Sequence, residues 1–271
     1  MNHLNATGRD GDPHPPMPMD PQAVARIALA CLDLTSLNDA DTAGDIDTLC
    51  RKAQGRFGTV AAVCVWPRFV AQARLLLPPQ VAVAAVANFP DGSTDLARAV
   101  ADTRAIVQAG GNEVDVVMPY RDLAAAPALL AAVRQACVGL RLKVILETGE
   151  LAEDTLITRA CDIALQAGAD FLKTSTGKVA TNATPHAATL LLQAIAGDPQ
   201  ARQHVGFKAA GGVRTVADAA VYIALVQQHL GAAALNAQRF RFGASGLLTD
   251  IEAVLGGGLR VPQTPTGPAT Y

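Results

Sequence analysis

Eight short apolar runs, rich in β-branched residues and separated by longer stretches of helical period, recur along the chain. This alternation constrains the fold more than any other feature. The runs are placed at Ile27–Leu34, Thr59–Val65, Val81–Asn88, Glu113–Met118, Leu142–Glu147, Phe171–Ser175, Val205–Ala209 and Phe240–Ala244. Strands alternating with helices imply parallel pairing through helical crossovers, and eight such units predict an α/β fold of the closed (β/α)₈ TIM-barrel type. Start signals for the intervening helices fit this reading: Ser93-Thr94-Asp95 before Leu96–Ala109, Thr184-Pro185 before His186–Ala196, and Thr215 before Val216–Gln228. The competing doubly wound open sheet lacks its marker, since no G-x-G-x-x-G follows the first run.

A chain of 271 residues is close to the size of one such barrel. Only 4% of residues are aromatic against 50% hydrophobic, so the core is expected to be built from Ala, Val, Leu and Ile, as suits a sheet covered on both faces. The single domain is placed at residues 22–256. Residues 1–21, with five prolines and two glycines and no apolar period, are expected to be a disordered extension, and residues 257–271 a flexible tail of similar composition.

Twenty-two Lys and Arg oppose 24 Asp and Glu, a net charge of -2 without an extended basic block, so no nucleic-acid partner is expected. The apolar runs are too short to cross a bilayer and the polar start has no signal-peptide core, so the expectation is a cytoplasmic protein without a membrane partner. Cys31, Cys50, Cys64, Cys137 and Cys161 form no C-x-x-C pair and are odd in number, which argues against a zinc site or a disulfide framework. The scattered histidines add no metal cluster. No metal or organic cofactor is expected.

Lysine is costly to bury charged, yet Lys173 stands near the carboxyl end of the sixth apolar run and Lys208 in the equivalent place of the seventh. Neighbouring parallel strands lie about 4.8 Å apart, so the two ammonium groups are expected to be close, each lowering the other's proton affinity and freeing an amine for attack on a carbonyl. Asp115, flanked by valines in the fourth run, is expected at the barrel mouth as a proton carrier. Glycine-rich turns follow the last three runs, at Thr176-Gly177-Lys178, Gly211-Gly212-Val213-Arg214 and Gly243-Ala244-Ser245-Gly246. Their N–H groups suit a phosphate, which barrels of this type commonly bind at those positions.

Six segments in order resemble the signatures of the deoxyribose-phosphate aldolase family: Leu32-Asp33-Leu34-Thr35-Ser36-Leu37, Glu113-Val114-Asp115-Val116-Val117, Lys143-Val144-Ile145-Leu146-Glu147-Thr148, Phe171-Leu172-Lys173-Thr174-Ser175-Thr176-Gly177, Gly211-Gly212-Val213-Arg214-Thr215 and Arg241-Phe242-Gly243-Ala244-Ser245. The similarity runs from about Ala28 to Gly256. It implies a Schiff-base lysine at Lys173, proton transfer by Lys208 and Asp115, and phosphate contacts from Gly177, Lys178, Gly211, Gly212, Gly243 and Ser245. Gly246 stands where some members carry a second serine, which removes one hydroxyl donor. Asp33, Thr35, Cys64 at the end of the second run and the terminal Tyr271 are accessory candidates. The implied reaction is reversible cleavage of 2-deoxy-D-ribose 5-phosphate to glyceraldehyde 3-phosphate and acetaldehyde, with phosphosugar and aldehyde ligands as partners and a homodimer as the expected assembly. Two alternatives remain open at this point: another phosphosugar Schiff-base aldolase of transaldolase type, and a phosphosugar-binding protein without turnover.

Overall fold

The computed structural model describes residues 19–257. The expected Tyr271 site, and most of both terminal segments, lie outside the described residues.

Among the described residues, eight parallel strands close into a barrel: β1 (Leu32–Thr35), β2 (Ala62–Val65), β3 (Ala82–Ala87), β4 (Glu113–Val117), β5 (Arg141–Ile145), β6 (Phe171–Lys173), β7 (Gly206–Ala210) and β8 (Phe240–Ala244), with β8 pairing back onto β1. The last strand falls where the sequence placed it, and β3 to β7 lie within a residue or two of their expected bounds.

Two expectations need correction. The run Ile27–Leu34 is not a strand throughout: residues Pro21–Ala30 form a helix, and β1 begins only at Leu32. Its start is chemically marked, because the Asp20 carboxylate accepts hydrogen bonds from the N–H groups of Gln22 and Ala23, and Pro21 occupies the first turn, where its missing N–H costs nothing. Asp20 and Pro21 are therefore structured, although both were expected within the disordered extension. Buried Val24, Ala25, Ala28 and Leu29 share one helical face and pack against the last two long helices, Val216–Leu230 and Leu247–Leu255. The run Thr59–Val65 is likewise shorter as a strand. Its first residue belongs to a small antiparallel hairpin, Gln54–Gly55 with Gly58–Thr59, before β2 starts at Ala62.

Register decides which side chains face inward. Residues paired across parallel strands point to the same face, and the ladder links Asp33 to Ala62, Thr35 to Cys64, Cys64 to Ala84, Val86 to Asp115, Asp115 to Lys143, Lys173 to Lys208 and Lys208 to Arg241. The two strands β2 and β3 therefore present alanine, valine and cysteine to the interior, whereas β1 and β4 to β8 present acids and bases. Small residues on one side leave room for the long cationic side chains that reach in from the other. The outward faces of the strands bury Val, Leu, Ile and Phe under the helical ring.

Candidate active site

Asp115, 0% exposed, sits at the centre of the interior. Its Oδ1 accepts from Lys143 Nζ at 2.8 Å, and its Oδ2 accepts from both Lys173 Nζ at 2.9 Å and Lys208 Nζ at 2.8 Å. Asp33 takes the other side, bonded to Lys208 and to the Arg241 guanidinium, with Lys143 at 3.3 Å. Below them Glu113 binds Lys143, Arg141 and Arg241, which closes the floor of the barrel.

The electrostatics of the two predicted lysines differ. Burial is the largest influence on Lys173 and lowers its proton affinity; Asp115 pulls the other way, Lys208 adds to the depression, and the amine ends below its ordinary value. Burial also disfavours charge on Lys208, but Asp115 and Asp33 outweigh it and hold that ammonium above its ordinary value. The mutual depression expected of the pair is therefore corrected to a one-sided one. Lys208 stays a cation because two carboxylates bind it, and it acts on Lys173 as a fixed positive neighbour. For Asp115, burial opposes ionisation, and the three lysines overcome it to hold the carboxyl well below its usual range. An amine of reduced basicity beside an ionised carboxylate and a fixed cation can attack a carbonyl and exchange protons in place.

Of the accessory candidates, Asp33 belongs to this cluster by direct contact. Thr35 is buried on the inward face, but its hydroxyl donates to the carbonyl of Asp33 at 2.9 Å and is occupied by its own strand. Cys64 also faces inward and is 0% exposed; burial, reinforced by Asp115, pushes its thiol up to about 11, so it is protonated at neutral pH.

The glycine turns stand together at the carboxyl ends of β6, β7 and β8, with left-handed backbone at Gly177 (φ 85°), Gly211 (φ 80°) and Gly212 (φ 85°). Lys178 reaches across the mouth to donate from Nζ to the Leu37 carbonyl after β1, at 2.8 Å. Gly243 lies lower, on β8, where a Cβ would come within 3.0 Å of Lys208 Cε; its lack of a side chain makes room for that lysine. Ser245 and Gly246 are exposed ahead of the helix Leu247–Leu255.

Four residues of the site escaped the sequence reading. Lys143, Glu113 and Arg241 complete the buried network described above. Glu147 follows β5 in a left-handed conformation (φ 56°), and its carboxylate accepts from the N–H of Thr176 at 3.2 Å and from the Thr176 hydroxyl. The Thr176 hydroxyl in turn accepts from the N–H of Lys178 at 3.0 Å, so Glu147 anchors the turn that carries Gly177 and Lys178. Burial raises the Glu147 carboxyl above its ordinary value, while the Thr176 hydrogen bonds oppose that rise.

Among the described residues no group of His, Cys, Asp and Glu is arranged to hold a metal ion, and no helix is long and apolar enough to cross a membrane.

Residues 27–249 match the family model described as DeoC/LacD family aldolase. A curated deoxyribose-phosphate aldolase from Agrobacterium fabrum is 48% identical over 246 residues, covering 88% of this chain and 94% of that protein. A crystal structure from Toxoplasma gondii, of a protein assigned as a deoxyribose-phosphate aldolase, superposes with a TM-score of 0.80 at 25% identity, covering 87% of this chain and 95% of the other. The tetrameric deoxyribose phosphate aldolase of Aeropyrum pernix gives a TM-score of 0.68 at 24% identity over 87% of this chain and 92% of the other, a likeness of fold.

Proposed function

The chain belongs to the DeoC/LacD family of aldolases, and from that premise we propose that it cleaves 2-deoxy-D-ribose 5-phosphate reversibly to glyceraldehyde 3-phosphate and acetaldehyde through a Schiff base on Lys173. The observation that carries the reading is the Lys173 amine, 3% exposed, 2.9 Å from Asp115 and lowered in basicity by burial. In this reaction the neutral amine attacks C1 of the open-chain sugar. The carbinolamine loses water to an iminium, which draws the electron pair of the C2–C3 bond as that bond breaks. The C3 hydroxyl proton passes to the Asp115–Lys208 pair, directly or through water, and glyceraldehyde 3-phosphate leaves. Protonation of the enamine carbon and hydrolysis of the resulting iminium release acetaldehyde and restore the amine.

Lys208 contributes its charge throughout, and Asp33 holds it in place. The phosphate is assigned to the turns carrying Gly177, Lys178, Gly211, Gly212, Gly243 and Ser245, where backbone N–H groups and the Lys178 ammonium supply donors. A homodimer in the cytoplasm completes the proposal, the assembly being measurable by light scattering.

Borohydride reduction during turnover, followed by peptide mass mapping, tests the central claim. An adduct at Lys173 with acetaldehyde and glyceraldehyde 3-phosphate as products supports it, and an adduct at another lysine or different products overturns it. Glu147→Gln tests the phosphate assignment. Weakening the charge-assisted bond to Thr176 loosens the turn by about 1.5 kcal/mol or more, so KM for the phosphorylated sugar is expected to rise roughly tenfold. Turnover of unphosphorylated 2-deoxyribose should change little. Equal losses with both sugars would remove the turn from phosphate binding.

A further inference from the structure

The interior charges form a stack whose lower members do not touch Lys173. Glu113 and Arg241, 1% and 2% exposed, bond to one another at 2.8 and 3.2 Å. Arg241 binds Asp33, and Glu113 binds Lys143. Those partners in turn meet Asp115 and Lys208, the two groups against Lys173. Removed from solvent, such charges act on each other with little screening.

Counting the buried members, Asp33, Glu113 and Asp115 carry three negative charges, and Lys143, Lys208 and Arg241 carry three positive ones. The set is neutral without Lys173. Beside β6, which carries Lys173 itself, β1 supplies Asp33, β2 the protonated Cys64 and β3 only Ala82, Ala84 and Val86. From β4 come Glu113 and Asp115, from β5 Lys143, with the partly exposed Arg141 at the floor and Glu147 beyond its end, from β7 Lys208, and from β8 Arg241. A proton on Lys173 adds a fourth cation to a balanced cluster.

We propose that Glu113 and Arg241 are positioning residues whose opposite charges, relayed through Lys143 and Asp33, set the pH at which Lys173 becomes a nucleophile. The proposal rests on Lys173 forming the Schiff base. Glu113→Gln removes an anion, so the protonated lysine loses support and the amine is released at lower pH. Arg241→Met removes a cation and shifts release to higher pH. A charge-preserving Arg241→Lys leaves it near the parent value, and the double variant Glu113→Gln, Arg241→Met restores the balance.

The measurement is the initial rate of trapping at Lys173 by cyanoborohydride with acetaldehyde as the probe, followed against pH by peptide mass mapping. Midpoints displaced in opposite directions by about one pH unit, and returned toward the parent in the double variant, are expected. Shifts in the same direction, or no shifts, overturn the inference while leaving the Schiff base standing. Absence of trapping at Lys173 in the parent protein overturns the Schiff-base reading and this inference with it. The unaltered protein supplies an independent reading if a charge-changing variant does not fold. Its midpoint should hold constant between low and high potassium chloride, because the charges that set it are buried, and a midpoint that moves with salt assigns control to the surface and refutes the proposal.

Discussion

Lys173→Ala and Lys173→Arg are each expected to reduce turnover on the order of 10⁵-fold, with the fold retained. Alanine removes the amine proposed to form the covalent intermediate. Arginine keeps a cation but remains protonated at any accessible pH and offers no nucleophilic pair. The fold should survive the alanine change because Asp115 keeps Lys143 and Lys208 as partners, and because the charge on Lys173 is itself disfavoured by burial. Circular dichroism and melting temperature would register the retained structure, and borohydride trapping the missing adduct. Turnover within tenfold of the parent in Lys173→Ala, or an adduct in that variant at Lys143 or Lys208, would transfer the nucleophilic role elsewhere.

The barrel was legible because its strands are buried on both faces, read as mainly apolar runs and are separated by capped helices. Phe240–Ala244, bounded by polar residues, was placed to the residue. The helix Pro21–Ala30 was missed for the opposite reason: residues Ile27 to Cys31 are apolar at every position, so within that run no period separates a buried helix from a strand, and the Asp20-Pro21 start signal lay inside a proline-rich segment.

Within the site, Lys173, Lys208 and Asp115 stood out as charges inside apolar runs. Glu113, Lys143 and Arg241 carried the same signal, each at period-2 spacing from another charge: Glu113 from Asp115, Lys143 from Arg141, and Arg241 from Arg239. That spacing shows which side chains share a face but not which face points inward, since both faces are buried. The persistent charge on Lys208 depends on Asp33, 175 residues away, and no local pattern reports that partner. Glu147 closes the fifth apolar run, but its role rests on a left-handed backbone (φ 56°) and on a partner, Thr176, 29 residues along the chain, and neither shows in the local pattern.

Asp115→Asn is expected to damage stability and catalysis together, and pH separates the two effects. The amide is nearly isosteric but neutral, so it cannot compensate the Lys143, Lys173 and Lys208 amines that converge on its oxygens. Breaking a buried network from one side costs about 3 to 5 kcal/mol. For a chain of this size that corresponds to a fall in melting temperature of roughly 10 °C. The sign with pH follows from the depressed carboxyl: its contribution is present above its unfolded value of 3.8 and is lost as pH falls through the much lower folded value. The stability gap between parent and variant should therefore be full at neutral pH and shrink below about pH 4. Turnover should drop about 10²- to 10⁴-fold through loss of the proposed proton carrier. Trapping at Lys173 should persist and move to lower pH, since Asp115 is the group that raises the amine's affinity for protons. Retained trapping with lost turnover would assign Asp115 to proton transfer after the iminium forms, whereas loss of both in a folded variant would place it at the formation of the Schiff base itself.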